Sequence, residues 1–123
     1  MSVALMSVGS NNKIKPFNEY EKVLLWSNNS TDGFPGQTVT FTGADYGVYF
    51  VQGSKYTTGT NLSNSMYVIA GQETILMDAL TEQRRVTITK GKAGFSYGGG
   101  GNNWSNSTVY CPRRIYGLKG TEQ

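Results

Sequence analysis

The hydrophobic and polar positions of this 123-residue chain alternate with a period of two, which is typical of β-strands that bury one face. In "QTVTFT" (residues 37–42), Val39 and Phe41 lie on one face and threonines lie on the other. A helical period of 3.6 fails beyond about two turns in every segment. The segment "MDALTEQ" (residues 77–83) comes nearest to a helix, and we interpret it as a turn or short loop.

Short turn signals separate the apolar runs. The segment "SNNSTDGFPG" (residues 27–36) is dense in turn formers, Gly71 and Gln72 are placed to close a hairpin, and residues 90–92 are placed to close another. This spacing predicts an all-β protein, an antiparallel β-sandwich or jelly roll of about eight short strands. The predicted strands are residues 22–27, 37–42, 46–53, 66–71, 73–78, two strands within 84–98, and 109–119.

The length and the low charge of the chain fit one globular domain. A chain of this length buries roughly two thirds of its unfolded surface, and a charged fraction of 15% is too low for a self-repelling disordered chain. We assign residues 17–123 to a single β-sandwich domain and residues 1–16 to an N-terminal docking arm or an extra strand. No apolar run reaches about 18 residues, and no basic residue precedes the apolar N-terminal run. We therefore expect neither membrane insertion nor a signal peptide.

Charge and cysteine content narrow the range of partners. The net charge is +3, and the basic residues occur as scattered singles and two adjacent pairs. Proteins that bind nucleic acid usually carry a denser basic patch, so we expect no nucleic-acid partner. Cys111 is the single cysteine and cannot form an intramolecular disulfide. We expect its thiol to be a small buried side chain.

The composition offers little catalytic chemistry. The chain has no histidine, which removes the commonest general base, the Ser-His-Asp triad and the usual zinc ligands. Its eight acidic residues show no calcium-loop spacing, and nothing in their order singles out the facing pair that glycoside hydrolysis requires. The glycine run at residues 98–101 lacks the Gly-Lys-Ser/Thr ending of a phosphate-binding loop. We therefore expect no enzymatic activity, no cofactor and no metal site.

The segment after the glycine run carries the candidate ligand-binding residues. Trp104 lies among the amides of Asn102, Asn103 and Asn106, and Tyr97 precedes them. Aromatic faces stack on sugar rings, and amides supply paired donors and acceptors at low ordering cost. Trp104 can instead be an anchor in the core or at a subunit interface, which is the more common role of such a residue, or an incidental exposed aromatic. The sequence leaves these interpretations open.

The first and last strands carry distinctive residues. The apolar run "KVLLWS" (residues 22–27) predicts a strand buried on both faces, with Trp26 in the core. Pro112 cannot donate a ladder hydrogen bond, so it belongs at a strand start or on an edge. Arg113 and Arg114 alternate across the last strand, so one of them points outwards, where its charge would protect a sheet edge.

Three segments resemble a known family. "LLWSNNSTDGFPGQTVTF" (residues 24–41) is similar to the opening of the C-terminal β-sandwich domain of phage and prophage tail fibre or baseplate proteins. "CPRRIYGLKG" (residues 111–120) resembles the closing strand of that domain, and "RRVTITKGKAGFSYGGGGNNWSNS" (residues 84–107) resembles its penultimate strands and loop. The resemblance covers about residues 23–120.

The resemblance implies a non-enzymatic phage virion protein, on a tail fibre or baseplate, that attaches to the host by binding surface carbohydrate. It implies a homo-oligomer, typically a homotrimer, with other tail proteins as partners. The protein would be made in the bacterial cytoplasm, released by lysis and found in the virion. In the closing strand, Ile115 and Tyr116, or Leu118, would pack inwards, and Gly117 would permit a bend or a close approach. The alternative is a purely structural baseplate, collar or capsid-decoration module that acts through protein–protein contacts.

Overall fold

A computed structural model describes residues 15–29, 34–54, 62, 64–79, 82–96 and 111–123 of the chain. Eight strands form two antiparallel four-stranded sheets, which confirms the predicted all-β sandwich and its number of strands. Within the described residues, a 3-10 turn, Phe17–Glu19, precedes the first strand. The strands are β1 (Lys22–Ser27), β2 (Gln37–Thr40), β3 (Val48–Ser54), β4 (Asn64–Ile69), β5 (Thr74–Ala79), β6 (Glu82–Thr89), β7 (Lys92–Phe95) and β8 (Cys111–Leu118).

The strand order pairs the strands near one end of the chain with those near the other. The first sheet has the order β1-β8-β3-β4, and the second sheet has the order β2-β7-β6-β5. The first strand therefore pairs with the last, and the second strand pairs with the next to last, as in the outer strands of a jelly roll. The strands in the middle of the sequence pair with their sequence neighbours, β3 with β4 and β5 with β6.

The main core lies between the two sheets and draws on alternate residues of each strand. Each fully buried valine or isoleucine there contributes about 1.5–3 kcal/mol relative to an exposed position. Val39 and Phe41, which the sequence placed on one face of a strand, both pack against this core. The buried members are Phe34, Tyr46, Tyr49, Val51, Val68, Leu76, Val86, Ile88, Ala93, Phe95, Cys111 and Ile115.

The turn between β6 and β7 follows the sequence prediction. Thr89 pairs with Lys92, and the two residues between them have positive φ, 47° at Lys90 and 76° at Gly91. Two consecutive positive φ values match the type I′ turn that suits the right-handed twist of a hairpin. A Cβ at Gly91 would lie 2.9 Å from the carbonyl oxygen of Phe41, so glycine also allows this close approach.

The predicted hairpin at residues 71–72 is wrong. Strand β4 belongs to the first sheet and β5 to the second, so this turn carries the chain from one sheet to the other. The amide of Gly71, at a φ of 82°, donates to the carbonyl of Ile88 in the second sheet. A turn signal marks where the chain reverses, and the sheet that the next strand joins depends on which apolar face it buries.

The segment at residues 77–83 is also more extended than predicted. Strand β5 continues to Ala79, and β6 begins at Glu82 with the pairing of these two residues. Residues 77–79 and 82–83 are therefore strand residues, where the sequence predicted a turn or short loop over residues 77–83. Pairing with a neighbouring strand overrides the weak helical preference of this segment.

Strand β1 lies at a sheet edge and strand β8 lies inside the sheet, which is the reverse of what their sequences predicted. Strand β1 is an edge strand with Leu24 54% exposed, so the prediction of burial on both faces is wrong. Strand β8 lies between β1 and β3, so Arg113 and Arg114 do not protect an edge. Their alternation is confirmed, because Arg113 is 7% exposed and Arg114 is exposed. Pro112 stands at the start of β8, as predicted, and its partner Gly53 lies at a register shift.

Candidate ligand-binding face

The outer face of the first sheet carries one continuous row of apolar side chains. Leu24 pairs with Tyr116, Tyr116 pairs with Phe50, and Phe50 pairs with Tyr67. These four residues, the aromatic row, come from all four strands of the sheet. Because neighbouring strands lie about 4.8 Å apart, the row is about 14 Å long.

The rings of the aromatic row form a partly open platform. The ring centroids of Phe50 and Tyr67 lie 4.7 Å apart, and those of Phe50 and Tyr116 lie 6.1 Å apart. The three aromatic side chains are half-buried, and Leu24 at the edge of the sheet is exposed. Phe17, from the 3-10 turn, supports Tyr67 at a centroid distance of 5.0 Å. The ring positions are thus fixed by neighbouring rings while part of their surface faces solvent.

A polar row runs parallel to the aromatic row on the same face. Ser27 pairs with Arg114, Arg114 pairs with Gln52, and Gln52 pairs with Ser65. Two residues along a strand return to the same face, so the polar row lies about 7 Å from the aromatic row. It places two hydroxyls, a guanidinium and an amide beside the rings. Gln52 is half-buried, and the other three side chains are exposed.

A lysine reaches over the aromatic row from the side opposite the polar row. The ammonium nitrogen of Lys22 is 5.0 Å from the ring centroid of Phe50 and 5.8 Å from that of Tyr67. Such cation–π contacts contribute about 0.5–1 kcal/mol at exposed sites. Within the described part of the chain, neither Lys22 nor Arg114 has a carboxylate within ion-pair distance. The face therefore combines ring surface with uncompensated positive charge.

A second small core explains why only part of this face is open. Tyr20 lies just after the 3-10 turn and packs over Val48 and Leu118, which lie on the outer side of the first sheet. Leu118 is thus buried on this face while Ile115 is buried in the main core, as the alternation requires. The turn covers one end of the face and leaves the aromatic row beyond it accessible.

The residues that the sequence proposed for ligand binding, Trp104, Asn102, Asn103, Asn106 and Tyr97, lie outside the described residues. They belong to the connection between β7 and β8. The described residues place the two strand ends of that connection at the end of the sandwich where β1 and β3 also end. Their part in ligand binding therefore stays a prediction from the sequence.

Two buried arginines hold the strand ends at that end of the sandwich. Arg84 is fully buried, donates to the carbonyl of Phe34 at 2.6 Å, and lies 5.3 Å from the centre of the Phe34 ring. Burial lowers the pKa of Arg84 to about 10, since the interior disfavours its charge. Arg113 donates through Nε to the hydroxyl of Ser54 at 3.0 Å and through Nη1 to the carbonyl of Asn28. These contacts tie the connections to the sheets.

Trp26 and Arg84 both pack against Phe34, and Cys111 interacts electrostatically with both arginines. The indole of Trp26 is half-buried and contacts the core through Phe34 and Phe95, at centroid distances of 5.9 and 6.1 Å. The prediction that Trp26 joins the core is therefore correct for one face of the ring. Cys111 is buried as predicted, and burial raises the pKa of its thiol. A raised pKa disfavours the reactive thiolate.

Metal-binding clusters and membrane-spanning helices are both absent from the described residues. Those residues hold no group of three or more Cys, Asp, Glu or His side chains that could bind a metal ion. Nor do they include a helix that is long and apolar enough to cross a membrane. Comparisons with protein-family models, with curated proteins and with solved structures find no match.

The aromatic row is the feature that sequence reasoning missed. Its members are spread over four strands, and each one looks in the sequence like an ordinary alternating strand residue. A high tyrosine content does indicate a half-buried sheet surface or an interface. The row itself depends on the order of the strands in the sheet, which the sequence pattern does not state.

Proposed function

We propose that this protein is a non-enzymatic phage virion component, on a tail fibre or baseplate, that binds host-surface carbohydrate as a receptor-binding module. The proposal rests on one observation: the aromatic row and the polar row lie side by side on the outer face of the first sheet. Partly exposed ring faces stack on the C–H faces of sugars. The neighbouring hydroxyl, amide and guanidinium groups can hydrogen-bond to sugar hydroxyls at the same time.

The arrangement of the resembling segments supports the phage assignment. Strand β1 lies within residues 24–41 over most of its length, and β8 lies within residues 111–120. The two strands are hydrogen-bonded neighbours in the first sheet. Two segments far apart in sequence therefore form one structural unit, and both contribute to the aromatic row. This is the behaviour expected of motifs that belong to one domain.

An oligomer would strengthen such binding. One shallow face binds a glycan weakly, and several linked copies raise the overall affinity without any new contact. A homotrimer fixed to other tail proteins would present three copies to the host surface. In this proposal Trp104, with Asn102, Asn103, Asn106 and Tyr97, remains a second candidate contact region.

A structural virion module is the alternative function, and one observation favours it. Leu24 on β1 is 54% exposed and Ile75 on β5 is 39% exposed, and both lie on edge strands. Edge strands with apolar side chains are suited to contact another protein chain. In that case the aromatic row would be an interface with another virion protein.

A cell-binding experiment tests the proposed function. Fluorescently labelled protein is added to a panel of candidate host bacteria, and the wild type is compared with the variants Leu24→Ser, Tyr116→Ala and Trp104→Ala. Ile75→Ser is the matched control for Leu24→Ser, because it also replaces an exposed apolar residue on an edge strand. We expect the wild type and Ile75→Ser to bind, and the aromatic-row variants to lose binding at unchanged oligomeric size.

The alternative predicts a different result. If no bacterium binds the wild type, while the aromatic-row variants change the oligomeric size or lose binding to other virion proteins, the structural module is correct. Size-exclusion chromatography with light scattering measures the oligomeric size for each variant.

A further inference from the structure

Positive charge lies on both sides of the aromatic row. Lys22 lies at the start of β1, on the side of the aromatic row that is nearer the 3-10 turn. Its ammonium group lies over Phe50 and Tyr67. Arg114 belongs to the polar row on the opposite side. Along the strands, the two backbone positions are about 13 Å apart, with the aromatic row midway between them. A ligand lying on the rings would therefore meet a cation on either side.

The nearby acidic residue is already paired. Glu21 lies beside Lys22 in sequence, and its carboxylate faces Lys119 at 3.9 Å. The other described ion pair, Arg85 with Glu73, belongs to the second sheet. No described carboxylate therefore neutralises Lys22 or Arg114. Both cations are therefore available to an anionic ligand on this face.

We propose that this face selects acidic glycans, whose sugar rings stack on the aromatic row while their carboxylate or phosphate groups bind Lys22 and Arg114. This inference rests on the proposed carbohydrate-binding function and adds the chemical class of the ligand. Charge complementarity supplies the preference, because a neutral glycan would leave both cations on the face uncompensated. A guanidinium can bind a carboxylate or a phosphate through two parallel hydrogen bonds, which also fixes orientation.

The test uses the full chain and an array of purified bacterial surface polysaccharides, with acidic and neutral members. The variants are Lys22→Gln and Arg114→Gln, which keep long polar side chains and remove the charge. Lys92→Gln is the matched control, because Lys92 is an exposed lysine on the outer face of the second sheet. Thermal unfolding of each variant confirms that the fold is retained.

We expect wild-type binding to be confined to acidic members and to weaken as salt is added. Loss of one charge-assisted hydrogen bond corresponds to about a tenfold loss of affinity for Lys22→Gln or Arg114→Gln. Lys92→Gln keeps the wild-type affinity. Chemical reduction of the carboxylates, or enzymatic removal of the phosphates, of a bound polysaccharide abolishes binding and identifies which anion is recognised.

Other outcomes overturn the inference and separate it from the proposed function. Equal binding of neutral and acidic members, or no effect of the two variants, overturns the acidic selectivity and leaves carbohydrate binding standing. Loss of binding in Trp104→Ala alone moves the site to the β7–β8 connection. A change of oligomeric size in the aromatic-row variants makes the face an interface between copies. No binding to any member overturns both the inference and the proposed function.

Discussion

The ring of Tyr46 lies directly against the backbone of Gly117, so that a Cβ at position 117 would overlap the ring atoms. Strand β8 is central in the first sheet, and its glycine faces the main core between the buried residues Tyr46 and Tyr49. This is the close approach that the closing strand was predicted to permit. The glycine leaves room for an aromatic ring where another residue would place its own side chain.

Replacing Gly117 by alanine should destabilise the fold. The added methyl group forces Tyr46 out of its place, and overpacking of this kind costs about 1–3 kcal/mol. Urea unfolding followed by tryptophan fluorescence measures the loss. Gly94→Ala is the control, because the nearest atom to its Cβ would be 3.8 Å away. An equal loss in both variants would show that backbone effects, and not the Tyr46 contact, determine the cost.

Replacing Thr121 by valine should also destabilise the protein, through hydrogen bonds. The buried hydroxyl of Thr121 donates to the carbonyl of Leu118 at 2.7 Å and accepts from the amide of Val48 at 3.2 Å. Valine keeps the shape and leaves a buried amide without its partner, which costs about 1–3 kcal/mol. Thr121→Ser keeps both bonds and should lose less free energy of unfolding in the same denaturation assay. The reverse order would mean that the methyl group matters more than the hydroxyl.

Replacing Tyr20 by phenylalanine should leave stability unchanged or increase it. The hydroxyl of Tyr20 is buried in the second small core and has no hydrogen-bond partner among the described residues. Removing an unsatisfied buried polar group removes its desolvation cost, of about 1–3 kcal/mol. Tyr49→Phe is the contrast, because the Tyr49 hydroxyl accepts from the amide of Tyr46 at 3.0 Å. Calorimetric unfolding should rank Tyr20→Phe above Tyr49→Phe, and the opposite ranking would contradict the assignment.

The stability of the protein should fall in mild alkali because of Cys111. Burial is the main cause that raises the pKa of its thiol above the ordinary value of 9.0, and the charges of Arg113 and Arg84 oppose this effect. The folded state therefore retains a proton that the unfolded state releases. The free energy of unfolding is greatest below pH 9.0 and decreases as the pH rises through the folded-state pKa, by at most about 1.4 kcal/mol per pH unit.

Urea midpoints measured from about pH 8 to 10 test this linkage. The variant Cys111→Ala lacks the thiol, so its midpoint should fall less over the same range than that of the wild type. Groups that do not interact with the thiol affect both proteins equally, so the difference measures the thiol together with its electrostatic coupling to Arg84 and Arg113. Parallel pH dependences would show that the thiol does not contribute.

Local sequence determined the positions of most strands and the orientation of their side chains. The alternation in β6 and β2 follows from the two-residue period of a strand, which each segment expresses by itself. The Lys90–Gly91 turn is local too, because glycine accepts the positive φ that a tight hairpin requires. The burial of Cys111 and the opposite orientations of Arg113 and Arg114 follow from the same alternation.

Only the tertiary structure decided which strands are neighbours. Residues 22–27 were expected to be buried on both faces, but they form an edge strand. The closing strand was expected at an edge, but it lies inside the sheet. Pairing between distant strands depends on how all the apolar faces are buried together, so no single segment encodes it. The aromatic row exists because this pairing aligns Leu24, Tyr116, Phe50 and Tyr67 across the sheet. The sequence by itself determined which side chains share a face of most strands, and the fold decided which of those faces are exposed and what the exposed residues form together.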